Sequence, residues 1–290
     1  MFKGTLVALV TPFKDGRVDY DAIQRLVDWH LEQGTDGLVP VGTTGESPTV
    51  DVDEHKKVIE TVVQRAGGRV PVIAGTGGNA TAEAIELTQF ARDAGADASL
   101  QVCPYYNKPT QEGLWEHFAA IARACDLPMV LYNIPGRTAV SMTPETVARL
   151  AELDQVVGIK EATGSMDQTS EILARCDLTV LSGDDSLTLP LMAIGARGVI
   201  SVVANLVPQD VKRLTDAMLA GDAETARDAH RRLFPLCRAM FVETNPIPIK
   251  TAMKWAGLLD SDERRLPLTD LSPASADALR QVMTDYGLLT

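Results

Sequence analysis

The 290-residue sequence lacks several features that mark specialised classes of protein. It has no run of about 18 apolar residues, so no segment is expected to span a membrane. The apolar run from Leu6 to Val10 is shorter than a signal-peptide core, and no small-residue cleavage site follows it, so we expect a cytoplasmic protein. Basic residues are also few: 27 Lys and Arg against 39 Asp and Glu give a net charge of −12, which argues against a nucleic-acid binder.

Cysteine and histidine are scarce and poorly spaced for metal or redox chemistry. No Cys-x-x-Cys pair occurs, so we expect free thiols and no metal. The acidic pair Asp184-Asp185 alone is weak support for a cation site. The histidines fall in segments with a helical pattern, away from predicted strand ends. The four cysteines and four histidines are Cys103, Cys125, Cys176, Cys237, His30, His55, His117 and His230.

The sequence does contain short apolar runs separated by longer amphipathic segments. The runs are rich in β-branched residues and do not alternate strictly with polar ones, which is typical of parallel strands covered on both faces. Each run and the segment after it have the length of a βα unit. Eight such units predict a (β/α)8 TIM barrel, an α/β fold. The runs begin near Gly4, Asp36, Pro71, Asp97, Pro128, Val156, Leu178 and Gly198.

Strand patterns stop after about Val207, and the remaining chain has a helical pattern. We therefore predict a barrel over residues 1–220 and a helical C-terminal extension, residues 221–290, packed on it. Clear helical segments run from Asp222 to Met240 and from Ser272 to Tyr286. A third helix is predicted to start at Thr143-Pro144, because a capping hydroxyl followed by proline is a helix start.

In a barrel, catalytic groups lie at the carboxyl ends of the strands, and Lys160 occupies such a position. A lysine that leaves a buried strand is costly unless it is paired or neutral. A neutral amine is the nucleophile that Schiff-base chemistry with a ketone requires. The alternative is an ion pair of Lys160 with Glu161 or a nearby aspartate. The position of Lys160 alone does not distinguish the two interpretations.

Two neighbouring strand ends carry hydroxyl groups. Tyr132 ends the fifth strand and could shuttle protons if Thr43 or Thr44 held its hydroxyl, although a single tyrosine there is more often a core residue. The turn that contains both threonines, Gly42-Thr43-Thr44-Gly45-Glu46, offers successive N–H groups that suit a small carboxylate. It is not a P-loop, because no Gly-Lys-Ser/Thr follows.

Four motifs, in this order, make the sequence resemble a known family: G-T-T-G-E, Y-Y-N-K-P, Y-N-I-P-G-R-T and G-I-K-E-A-T-G. The family is that of the pyruvate-dependent class I aldolases, which includes dihydrodipicolinate synthase and N-acetylneuraminate lyase. The match runs essentially from end to end. The resemblance implies a lyase that needs no cofactor, because pyruvate forms a Schiff base with Lys160.

The resemblance also implies roles for individual residues and an assembly. It implies a homotetramer, a dimer of dimers, in which Tyr106 reaches the site of a neighbouring subunit. The implied catalytic residues are Lys160, Tyr132, Thr43 and Tyr106. The implied substrate-binding residues are Thr44, Arg137, Gly183 and Ile200. Residues that match a lysine feedback site in the family are Ser47, His55, Asn79, Glu83 and Tyr105.

Arg137 distinguishes between branches of the family, because it can pair with an aldehyde that carries its own carboxylate. This favours L-aspartate 4-semialdehyde as the second substrate. The product would then be 4-hydroxy-tetrahydrodipicolinate, in the first committed step of diaminopimelate and lysine biosynthesis. The alternatives are a related pyruvate-dependent aldolase that acts on a sugar-acid aldehyde, and a barrel without catalytic activity.

We predict weak or absent inhibition by lysine. Val52 stands where the inhibited members commonly have a histidine, and Pro48 replaces a small residue, so hydrogen bonding at the feedback site is lost. An inhibition curve with the purified protein checks this. Half-loss of activity at micromolar lysine would contradict the prediction.

Overall fold

The fold of residues 2–289, described by a computed structural model, is an eight-stranded parallel barrel surrounded by helices. The strands are hydrogen-bonded in the order β2-β1-β8-β7-β6-β5-β4-β3, and a parallel bridge between Leu38 and Val72 joins the two ends. The predicted TIM barrel is therefore confirmed. The strands are Gly4–Ala8 (β1), Gly37–Val39 (β2), Ile73–Gly75 (β3), Ala98–Val102 (β4), Met129–Asn133 (β5), Val156–Glu161 (β6), Thr179–Ser182 (β7) and Gly198–Ser201 (β8).

A helix follows each strand, and further helices form the C-terminal part of the chain. The barrel helices are Tyr20–Glu32 (α1), Val52–Ala66 (α2), Thr81–Ala94 (α3), Gln111–Ala124 (α4), Pro144–Leu150 (α5), Met166–Arg175 (α6), Thr188–Ala193 (α7) and Pro208–Ala220 (α8). The C-terminal helices are Ala223–Ala239 (α9), Ile247–Trp255 (α10) and Pro273–Tyr286 (α11). Within residues 2–289, none of the helices has the length and apolarity needed to cross a bilayer.

Several predicted helices begin one residue later than the sequence pattern suggests. The first polar residue is the N-cap, whose side chain accepts a hydrogen bond from a backbone N–H in the first turn while its own backbone stays outside the helix. Asp19, Asp222 and Ser272 act in this way for α1, α9 and α11. Thr143 caps α5, and Pro144 is its first residue, as predicted.

The apolar residues form two layers, which the alternation of side chains along each strand separates. On β1, Leu6 and Ala8 point into the barrel, whereas Val7 packs in the layer between strands and helices. The barrel is thus filled with side chains rather than hollow. The buried interior residues are Phe2, Leu6, Ala8, Val39, Ile73, Ala98, Leu100, Val130, Tyr132, Leu181 and Ile200.

Besides the one-turn helix Pro135–Thr138, two elements have no counterpart among the sequence predictions. One is an antiparallel hairpin of Phe13–Lys14 and Arg17–Val18, whose strands are too short to show a periodic pattern. The other is α10, in which every residue from Ile247 to Met253 is buried. A helix that is enclosed on all sides shows no polar face, so the usual amphipathic period is absent.

A buried ion pair connects α10 to the loop after β2. The Lys250 ammonium donates to Glu46 Oε1 at 2.7 Å and to the Thr11 carbonyl oxygen at 2.9 Å, and both charged side chains are fully buried. The other carboxylate oxygen of Glu46 accepts from the backbone N–H of Arg265 at 3.1 Å. Burial lowers the pKa of Lys250 to about 8, although the charge of Glu46 acts to raise it.

We predict that Lys250→Met lowers the free energy of unfolding by about 3–5 kcal/mol, because removal of one partner leaves an uncompensated buried charge. Lys254→Met, one turn later, is the matched control. Lys254 is 47% exposed in its ion pair with Asp262, so its loss should cost less than about 1 kcal/mol. Urea denaturation of both variants checks this, and equal losses would contradict the prediction.

Candidate active site

Lys160 lies near the carboxyl end of β6, opposite Tyr132 in the register with β5. It is 5% exposed, and its Nζ lies 4.1 Å from the centroid of the Tyr132 ring. Among residues 2–289, no carboxylate oxygen lies within 4.0 Å of this ammonium group. The ion pair of Lys160 with Glu161 or an aspartate, which was the alternative interpretation, is therefore not present among these residues.

The two acidic residues near Lys160, Glu161 and Asp184, differ in their surroundings. The Glu161 carboxylate accepts from the backbone N–H of Thr163 at 2.8 Å and from the Asn133 amide at 3.5 Å, and burial raises its pKa. Burial also raises the pKa of Asp184, while the charge of Lys160 acts in the opposite direction. Asp184 thus provides the long-range negative charge near Lys160 without a direct ion pair.

Gly183 follows β7 and lies beside Lys160, whereas Ile200 lies on β8, one strand further from β6. A Cβ at Gly183 would stand 2.6 Å from the Ala162 Cβ and 3.1 Å from the Lys160 Cε. Only glycine allows the chain after β7 to approach Ala162 and Lys160 this closely. Ile200, on β8, is 1% exposed and faces the barrel interior.

The two threonines of the turn after β2 face different surroundings. Thr43 lines a cavity of about 220 Å³ together with Arg137 and Tyr105, and it lines a smaller cavity with Tyr132. Thr44 is buried, and its hydroxyl contacts the C-terminal part of the chain. The structure thus brings Thr43, Tyr132 and Arg137 together at the mouth of the barrel, above Lys160.

Asn245, which sequence reasoning did not single out as a site residue, joins two of the predicted ones. Its Nδ2 donates to Thr44 Oγ1 at 3.0 Å, and its backbone oxygen accepts from Arg137 Nη2 at 3.2 Å. No local pattern marks this role, because the residues in contact are 201 and 108 positions apart.

Tyr106 is not brought to this site within one chain. Its side chain is 91% exposed, and its backbone has a φ of 69°, in the left-handed region. The expected role of Tyr106 in the site of a neighbouring subunit remains a prediction.

The residues of the expected lysine site lie in the loops and helices that follow β2, β3 and β4. Ser47 and Tyr105 line the 220 Å³ cavity. Burial raises the pKa of Tyr105, and the nearby charge of Glu83 raises it further. The Asn79 carbonyl accepts from the Asn107 amide at 2.9 Å, while His55 is buried with its Nε2 2.6 Å from the Gly75 oxygen. A regulatory role for these residues stays a prediction.

The donor groups that could hold a metal are dispersed. In the described part of the chain, no three His, Cys, Asp or Glu side chains are grouped as metal ligands would be. The four cysteines are free thiols, and Cys176 is the one that is only partly buried.

We predict that Gly183→Ala lowers the free energy of unfolding by about 1–3 kcal/mol, because the new methyl group overlaps Ala162 and crowds Lys160. Gly136→Ala is the control, since a Cβ there meets nothing within 4 Å. Thermal or urea denaturation compares the two. A Gly183→Ala protein as stable as the control would show that the close approach is not required.

Comparison with known proteins agrees with this geometry. Residues 1–286 match the family described as the dihydrodipicolinate synthetase family. The chain is 58% identical to the 4-hydroxy-tetrahydrodipicolinate synthase of Pelobacter propionicus over 100% of both chains. It superposes on dihydrodipicolinate synthase from Aquifex aeolicus with a TM-score of 0.97 and 53% identity, covering 99% of each.

A second solved structure is the chloride-inhibited dihydrodipicolinate synthase from Acinetobacter baumannii, which is complexed with pyruvate. It matches with a TM-score of 0.97 and 46% identity over 100% of both chains. Sequence and structure therefore agree along the whole length of the chain. The chain belongs to the dihydrodipicolinate synthetase family.

Proposed function

We propose that the protein is a lyase that condenses pyruvate with L-aspartate 4-semialdehyde to give 4-hydroxy-tetrahydrodipicolinate, as its full-length relatives are named to do. The observation that carries this proposal is a buried lysine that forms no ion pair with any of residues 2–289 and is held at the mouth of the barrel against a tyrosine ring. An amine in such surroundings is the group that attacks a ketone.

The first half of the reaction activates pyruvate. The neutral Lys160 amine attacks the keto carbon, a C–N bond forms, and the keto oxygen leaves as water. The imine nitrogen takes up a proton, and the resulting iminium withdraws electrons. The adjacent methyl group then loses a proton to the Tyr132 oxygen while the phenol passes its own proton to Thr43, which leaves an enamine. Thr44 and the N–H groups of its turn bind the carboxylate, while Gly183 and Ile200 border the bound ketoacid.

The second half joins the two substrates. The enamine carbon attacks the aldehyde, and the aldehyde oxygen takes up a proton. The amine of the second substrate then attacks the iminium carbon, which closes the six-membered ring and releases Lys160. The site contributes proximity of two substrates and a path for protons, and no cofactor takes part.

The proton path extends from Tyr132 through Thr43 to Tyr106 of the partner subunit. This proposal is supported by the exposure of Tyr106, which leaves its phenol free to enter another copy of the chain. It requires at least a dimer, and we propose a homotetramer built from two such dimers.

The two predicted parts of the chain have separate tasks in this proposal. Residues 1–220 form the catalytic barrel, and residues 221–290 complete the site from outside. This division is supported by the contacts of Asn245 with Thr44 and Arg137, and by the buried pair of Lys250 with Glu46.

Arg137 sets the choice of aldehyde. Its guanidinium pairs with the carboxylate of L-aspartate 4-semialdehyde in a charge-assisted hydrogen bond, which a neutral sugar aldehyde cannot form. The second candidate, an aldolase for sugar-acid aldehydes, has no separate observation in its favour.

Formation of the cyclic product from pyruvate and L-aspartate 4-semialdehyde tests the proposal. We predict product with the wild-type protein, and addition of pyruvate to Lys160 when borohydride reduces the intermediate. Lys160→Ala should abolish both, because no amine remains to form the imine. Mass spectrometry and a product assay measure the two results.

Three outcomes would contradict parts of the proposal. Trapping in Lys160→Ala would remove the assigned role of Lys160. Trapping without product in the wild-type protein would exclude L-aspartate 4-semialdehyde and favour a sugar-acid aldehyde. A folded wild-type protein that neither traps pyruvate nor forms product would favour a barrel without catalytic activity.

A further inference from the structure

We infer that the side chain of Asn245 is a positioning residue that forces the Thr44 hydroxyl to act as a hydrogen-bond donor to the ketoacid carboxylate. The inference rests on the proposed function, because it takes Thr44 as part of the carboxylate site. It extends that function to a residue outside the barrel, on the segment that leads into α10.

The argument begins with the hydrogen-bond capacity of a hydroxyl group, which has one hydrogen and two acceptor positions. Asn245 Nδ2 donates to Thr44 Oγ1 at 3.0 Å and so occupies one acceptor position. Because the Thr44 oxygen accepts this bond, the hydrogen of the hydroxyl group remains free to be donated. Among residues 2–289, that hydrogen has no acceptor, since the bond from Asn245 is the one that the Thr44 side chain makes.

A buried donor without an acceptor is costly, and a bound carboxylate oxygen would relieve that cost. Thr44 is 2% exposed and Asn245 is 4% exposed, and Asn245 lines a cavity with Thr43 and Arg137 through which a ligand can approach the pair. The Thr44 hydroxyl therefore lacks an acceptor until an anionic oxygen arrives. Within residues 2–289 the Oδ1 of Asn245 is also buried without a hydrogen-bond partner, so the preference for an anion lies at the Thr44 hydroxyl and not at the amide oxygen.

The backbone of Asn245 extends the same arrangement to the second carboxylate site. Its carbonyl oxygen accepts from Arg137 Nη2 at 3.2 Å, which fixes one edge of the guanidinium and leaves its other N–H groups for a ligand. One residue thus orients a group at each of the two sites proposed for substrate carboxylates. Substitution of the side chain tests the first site and leaves the backbone contact in place.

The experiment measures the pyruvate concentration that gives half-maximal borohydride trapping at Lys160. We expect Asn245→Ala to raise it about fivefold, the effect of one lost hydrogen bond. Asn245→Asp, which has nearly the same shape, should raise it about thirtyfold or more, because a carboxylate can only accept and adds a like charge beside the ligand. Because a buried carboxylate is also harmful in a purely structural role, the comparison with pyruvamide separates the two roles.

Two controls make the inference specific. Trapping of pyruvamide, which lacks the carboxylate, should change less than about twofold in either variant, because the lost interaction is with an anion. In a Thr44→Val protein, Asn245→Ala should cause no further change beyond about twofold, since the two residues act as one unit. Melting temperatures show that each variant is folded, and Asn245→Asp carries the test if Asn245→Ala does not fold.

The results separate this inference from the proposed function. Absence of trapping in the wild-type protein overturns both. Normal trapping in the wild-type protein, with unchanged half-saturation in a folded Asn245→Ala or Asn245→Asp variant, overturns the inference alone. Equal effects on pyruvate and pyruvamide, or additive effects of the Thr44 and Asn245 substitutions, also overturn it.

Discussion

A carboxylate that is removed from water must be neutralised or fully hydrogen-bonded, and Glu46 is removed from water completely. Its two oxygens are satisfied by Lys250 and by the backbone of Arg265, both of which belong to the C-terminal part of the chain. Glu46 ends the turn that contains Thr43 and Thr44. The geometry of that turn, and hence of the barrel mouth, therefore depends on a partner that lies outside the barrel.

This dependence explains why the site is divided between two parts of the chain. The barrel supplies the groups proposed for covalent chemistry, Lys160 and Tyr132, on rigid neighbouring strands. The segment before α10 supplies Asn245, which orients Thr44 and Arg137. Groups on strands are held by the sheet, whereas groups on loops need support from a second layer, and here the C-terminal helices provide that layer.

The sequence permitted a good prediction of the barrel because its strands are buried on both faces and so appear as continuous apolar runs. Lys160 could be identified from the sequence for a related reason, since a charged residue directly after an apolar run is unusual. Asn245 and Lys250 could not be identified in this way, because their contacts join residues more than 100 positions apart and leave no local pattern. Tyr106 was identified through the family resemblance alone, and one chain does not reveal its partner.

The separation of Glu46 from Lys250 also affects folding during synthesis. A ribosome adds Lys250 204 residues after Glu46, which takes about 10–40 s at typical elongation rates. During that time, the carboxylate has no cation and the turn around it stays hydrated, even when the early strands have emerged. The mouth of the barrel can therefore take its final form only after most of the chain has left the ribosome, so an incomplete nascent chain lacks an ordered site.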